Sequence, residues 1–168
     1  MNNLVYGSDH SRFLYREIES VQEECFIASY GISSYVLSKD FLKLIIDKIK
    51  DGVRFYFVIG VKKEFRDNID LGRLFYLKFW KRHNNYKGDV LWSLKETKHG
   101  KIFIKDNNLA LVGSYNFLTS HLSDWDNYSV IIQDAATISD LKKLIIDNNQ
   151  SLIDLSQSSS LNKQITQK

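Results

Sequence analysis

His99-Gly100-Lys101-Ile102-Phe103-Ile104-Lys105-Asp106-Asn107-Asn108-Leu109-Ala110-Leu111-Val112-Gly113-Ser114-Tyr115-Asn116 decides how the rest of this 168-residue chain is read. Side chains alternate faces along a strand, so His99 and Lys101 point the same way. In that register Ile102 and Ile104 face the core, with Phe103 and Lys105 on the other side. Asp106-Asn107-Asn108 is turn chemistry, and Leu109 to Val112 is a second short strand. The stretch therefore reads as a hairpin whose second strand returns Gly113, Ser114 and Asn116 to the side of His99.

Those side chains suit a phosphodiester. The Lys101 ammonium, the Ser114 hydroxyl and the Asn116 amide are donors for phosphate oxygens without help from a metal. One imidazole can attack phosphorus while a second protonates the leaving oxygen. A carboxylate behind the imidazole would fix its tautomer.

The spacing His99-x-Lys101, four residues, Asp106, six residues, Gly113-Ser114-x-Asn116 resembles the HKD motif of the phospholipase D superfamily, most sharply from Lys98 to Val130. The resemblance implies an α/β phospholipase D-like sandwich: a mixed, mostly parallel central sheet flanked by helices on both faces. It also implies a phosphohistidine intermediate, with two HKD motifs forming one site. This chain carries one motif and no internal repeat, so activity would need an isologous homodimer with a composite active site. His99 would be nucleophile in one subunit and acid in the other. Lys101 and Asn116 would bind phosphate oxygens beside Ser114, and Gly113 would give a small turn that lets the loop approach the substrate. Asp106 belongs to the motif, although a turn aspartate is its simpler role. In the family an acidic residue about ten positions on orients the histidine. Asp126 stands there, with Asp124 as second choice, and aspartate departs from the usual glutamate. No cofactor and no metal are expected.

Length and composition are ordinary for a single globular domain, expected over residues 1–150 with a polar tail at 151–168. That tail is a candidate contact for a targeting partner. The net charge of +3 and pI near 8.8 permit an anionic partner without demanding one. Cys25 sits in an apolar run and reads as a buried thiol. No signal peptide or apolar run long enough to span a bilayer is visible, so a cytoplasmic protein is expected, with no membrane partner.

In chain order, apolar periodicity predicts a helix from Ser8-Asp9 to Glu23 carrying Phe13, Leu14, Ile18 and Val21. A strand follows at Glu24–Tyr30, a helix at 36–50 ended by Asp51-Gly52, and a strand at 53–59. That order predicts a right-handed parallel unit. Further on come a helix at 70–83, a strand at 90–94, the hairpin, a strand at 127–132, and a helix from Asp134 with Ile138, Leu141, Leu144 and Ile145 on one side. His10 and His83 read as ordinary helix-end residues, and His121 as a possible pocket residue.

Among phosphodiesters, nucleic acid is favoured, DNA over RNA. Lys62, Lys63, Arg66, Arg73, Lys78, Lys81, Arg82, Lys87, Lys95 and Lys98 precede the motif, interleaved with Tyr76, Phe79, Trp80, Tyr86 and Trp92. Lysine and arginine neutralise backbone phosphates, and aromatic rings stack on unpaired bases. Lys98, Lys62, Lys63, Arg66, Lys81 and Arg82 are the substrate-binding candidates alongside Gly113. The alternatives are a lipid-hydrolysing phospholipase D-like enzyme and an inactive nucleic-acid-binding dimer.

Overall fold

The described residues form, in chain order, β1 (Leu4–Tyr6), α1 (Asp9–Glu19), β2 (Glu24–Tyr30), α2 (Lys39–Lys50), β3 (Arg54–Gly60), β4 (Asp89–Lys95), β5 (Ile102–Lys105), β6 (Leu109–Gly113), β7 (Tyr128–Ile132) and α3 (Ala135–Asp147). The computed structural model describes residues 3–33, 35–60, 76–77, 86–95, 99–119 and 126–149. The expected loop at 62–66, the helix at 70–83 apart from residues 76–77, Lys98, residues 120–125 with His121 and Asp124, and the tail at 151–168 lie outside the described residues.

Helix boundaries follow local chemistry. Ser38 caps α2, its Oγ accepting the Phe41 N–H at 3.2 Å, so the helix starts three residues later than expected. Val36 and Leu37 before it are buried in the turn instead. Asp51 and Gly52, at φ +104°, end α2 as expected. Asp134 caps α3 by accepting from the Thr137 N–H at 2.8 Å. Ser8 makes no side-chain cap to α1, which ends at Glu19 rather than Glu23.

The sheet order is β1-β7-β6-β5-β2-β3-β4. β2–β3 and β3–β4 are parallel, while β1–β7, β7–β6, β6–β5 and β5–β2 are antiparallel. The mixed α/β class stands, but parallel pairing is the minority. A parallel neighbour needs a long crossover, which α2 supplies between β2 and β3. The three-residue turn between β5 and β6 can only reverse the chain. β1, paired Leu4↔Val130 and Tyr6↔Tyr128, was not foreseen, because three residues carry too little alternation.

Helices cover both faces. Phe13, Leu14 and Ile18 of α1 and Phe41, Ile45 and Ile49 of α2 pack with Phe55, Phe57 and Phe103 on one face. Ile138 and Ile145 of α3 pack with Phe26, Ala28, Val58, Ile104 and Ala110 on the other. Phe103 is thus core, correcting the expectation that only Ile102 and Ile104 face inward: a doubly covered sheet has no polar side. Leu144 is exposed, although Leu141 packs as expected. Cys25 is buried, and burial pushes its thiol pKa well up. Lys105, on the Phe103 face, pairs with Glu17 of α1, and Lys142 of α3 reaches Glu24 at 2.7 Å. Burial opposes the Glu17 charge, but hydrogen bonds from Lys105 and Arg16 together hold its carboxyl below the ordinary range.

Candidate active site

The pairings place the C-terminal ends of β2, β6 and β1 beside the starts of β5 and β7, at one end of the sheet. His99, Lys101, Ser114 and Asn116 gather there. The Lys101 Nζ lies 2.9 Å from His99 Nδ1 and 3.4 Å from Nε2, and donates to the His99 carbonyl at 3.2 Å. An ammonium only donates, so it meets a ring nitrogen through that atom's lone pair. Partial burial lowers the Lys101 pKa from the ordinary lysine value.

Tyr30 joins the two halves of the site. Its ring stands 4.5 Å from the exposed His99 ring, and its N–H donates to Asn116 Oδ1 at 3.1 Å. That bond assigns the amide: Oδ1 faces Tyr30, leaving the Nδ2 donor without a partner among the described residues. The next residue back, buried Ser29, accepts the Leu118 N–H at 3.1 Å and so anchors the chain after Asn116. Tyr30 was missed in the sequence. Its only signal is its position at the end of a parallel strand, where ligands of open α/β sheets bind.

Ser114 is bound to the neighbouring strand. Its N–H donates to the Tyr128 carbonyl at 3.0 Å, and its Oγ accepts the Tyr128 N–H at 3.1 Å. Gly113 is required by the same neighbour: a Cβ there would lie 2.1 Å from the Tyr128 carbonyl oxygen and 2.5 Å from Ser129 Cα. The small residue lets β6 approach β7, rather than only freeing the loop for a substrate.

Asp106 is not at this site. It follows β5 at the opposite end of the sheet, about 16 Å of strand from Lys101. Its carboxylate accepts the backbone N–H groups of Gln22, Glu23 and Glu24, the last two at 2.8 and 3.1 Å. Its backbone sits at φ +50°, a conformation aspartate tolerates better than most residues. This turn role removes Asp106 from the catalytic group. Asp126 is exposed, and among the described residues it makes no hydrogen bond or ion pair to His99.

Lys62, Lys63, Arg66, Lys81, Arg82 and Lys98 lie outside the described residues. Trp92 is buried in the core, which removes it from the expected base-stacking role, and partly buried Tyr86 packs against that core. Lys87 precedes β4 at the far end of the sheet. Tyr76 is exposed. Among the described residues no three His, Cys, Asp or Glu side chains gather in metal-binding range, and no helix is long and apolar enough to cross a membrane.

Residues 14–163 match the family described as cardiolipin synthase, PLD-like domain. No curated protein matches the chain. Among solved structures, Nuc from Salmonella typhimurium, a phospholipase D family member, is 18% identical with a TM-score of 0.64, covering 86% of this chain and 90% of that one. NucT from Helicobacter pylori is 17% identical with a TM-score of 0.60, covering 84% and 90%. TrmBL2, an archaeal chromatin protein described with a novel mode of DNA binding, is 13% identical with a TM-score of 0.59, covering 86% of this chain and 51% of that one. These structural likenesses show a shared fold.

Proposed function

The chain belongs to the phospholipase D-like family, and from that premise we propose that it is a phosphodiesterase, an endonuclease of DNA, working without a metal through a site shared by two subunits. The observation that carries this reading is the meeting of His99, Lys101 and Asn116 around Tyr30 at one end of the sheet. A His99 ring nitrogen attacks phosphorus, and the bond from phosphorus to the leaving oxygen breaks. The second subunit's imidazole, acting as acid, gives that oxygen its proton. It then takes a proton from water, which displaces the phosphate from His99 and restores both rings. Lys101 and the Asn116 Nδ2 bind the phosphate oxygens. Ser114 supports that end through Tyr128, and Asp126 is the proposed orienting carboxylate, reaching His99 only on rearrangement.

We take the second imidazole from another copy, because the sequence holds one such motif and His10, the other described histidine at this end of the sheet, is fully buried. An exposed apolar row beside the site supports this reading. Leu4, Tyr6, Tyr128 and Val130 are 61%, 55%, 60% and 45% exposed, on the β1–β7 face that α3 leaves open. Exposed apolar clusters of this kind mark interaction sites.

The same apolar row also suits acyl chains, which favours phospholipid hydrolysis as a second reading. The discriminating experiment incubates the protein in EDTA with labelled single- and double-stranded DNA, RNA and anionic liposomes, beside His99→Ala. Cleavage of DNA lost in His99→Ala is expected; liposome hydrolysis alone would establish the second reading. DNA binding without cleavage, unchanged in His99→Ala, would instead leave a binding dimer. Mixing the two chains in equal amounts should lower activity per wild-type chain to about half, because mixed dimers hold one imidazole. Unchanged activity per wild-type chain would refute the shared site.

A further inference from the structure

His10, in the first turn of α1, is fully buried. Its Nδ1 lies 2.9 Å from the Gly7 carbonyl oxygen, which only accepts, so Nδ1 carries a proton and donates. In the neutral ring Nε2 then accepts the Ser129 hydroxyl at 3.0 Å. The imidazole also stacks on Tyr115, with ring centroids 4.3 Å apart and planes 9° apart. The Tyr115 hydroxyl meets Ser11 Oγ at 3.1 Å.

Serine, imidazole and carbonyl in a row resemble a nucleophile, base and orienter. Ser129 and His10 are both at 0% exposure, however, so no substrate reaches them. Their neighbours give the arrangement its use. Ser129 pairs with Gly113, and its Oγ fills the space that a residue 113 side chain would need. Tyr115 lies between Ser114 and Asn116, whose side chains turn outward to Tyr128 and Tyr30. One imidazole thus grips the 113–116 turn twice, through Ser129 and through the Tyr115 ring.

We infer that His10 is a positioning residue for the phosphate-binding turn 113–116, setting where Ser114 and the Asn116 amide stand relative to His99. This rests on the proposed phosphodiesterase reading. A displacement of about 1 Å in such a group can cost up to a hundredfold in rate, so a loss of at least about tenfold is expected.

The test uses inorganic phosphate as probe, followed by NMR shifts of the Asn116 side-chain amide, with DNA cleavage measured in parallel. His10→Leu, folded by circular dichroism, should bind phosphate about tenfold more weakly and lose kcat/KM in proportion. His10→Gln, which can still reach Ser129, should recover most of both. Ser129→Ala is the gentler variant should His10→Leu fail to fold, and it should weaken phosphate binding in the same direction. Folded variants that bind phosphate like wild type, with only a lower Tm, would overturn the inference. Phosphate binding by a wild type that cleaves nothing would sink the nuclease reading and leave this one standing. A wild type that cleaves DNA without binding phosphate would overturn this inference and leave the nuclease reading standing, and one that does neither would overturn both.

Discussion

Gly113→Ala should be far more damaging than a one-carbon change suggests. The new Cβ would lie 2.1 Å from the Tyr128 carbonyl oxygen and 2.5 Å from Ser129 Cα, both backbone atoms that cannot rotate away. Restoring a 3.0 Å separation requires β6 and β7 to part by about 1 Å. That motion weakens two bonds, from Ser114 N–H to the Tyr128 carbonyl and from Tyr128 N–H to Ser114 Oγ. Each is worth about 1 kcal/mol, and overpacking adds about 1–3 kcal/mol. The expected loss is about 3–5 kcal/mol, a large share of the roughly 5–15 kcal/mol that holds a domain folded. Urea denaturation measures it through the transition midpoint and slope. Gly100→Ala is the internal control. It also stands between motif residues, but its Cβ would meet only the Ala28 methyl at 3.7 Å, an ordinary contact. If both alanine variants unfold at the same urea concentration, the close approach of β6 to β7 is not what demands glycine.

Asp106→Ala should cost about 2–3 kcal/mol, because three backbone N–H groups lose a charged acceptor, while kcat of the folded variant stays at the wild-type value. A collapse of kcat with unchanged urea stability would return Asp106 to the chemistry. The Glu17 carboxyl is held below its ordinary value of 4.5 by Lys105 and Arg16. Its contribution is therefore complete above that pH and fades as acid takes the pH below it, through the depressed folded value. Glu17→Gln should flatten the acid limb of the stability curve and leave its alkaline side unchanged in slope. Equal acid slopes for the two proteins would show that the pair is not coupled to folding.

The hairpin was readable because a three-residue Asp-Asn-Asn turn leaves the chain one way to go, and because motif residues two apart share a side. Ser38 was missed as a cap since Val36 and Leu37 continue the apolar pattern into the turn, where packing rather than helix formation buries them. Phe103 was assigned to the wrong environment because alternation diagnoses burial only when one face of a sheet meets water. Trp92 shows the same limit from the other side: an aromatic ring among lysines reads as a stacking platform until the core buries it. The HKD residues were found by spacing, whereas Tyr30 and His10 act on them across 69 and 105 residues of chain, to His99 and Tyr115, beyond the reach of any local pattern.

The pairing of Ser114 with Tyr128 bears on when the proposed site is complete. Tyr128 follows Ser114 by 14 residues, so it leaves the ribosome after the rest of the site. A chain still on the ribosome that has not yet released residue 128 holds His99 and Lys101 but has nothing to brace Ser114 against. β1 must likewise wait for β7, since its pairing partners begin at Tyr128. On the proposed phosphodiesterase reading, nascent polypeptide would be harmless to whatever phosphodiesters surround it, arming itself only when β7 docks.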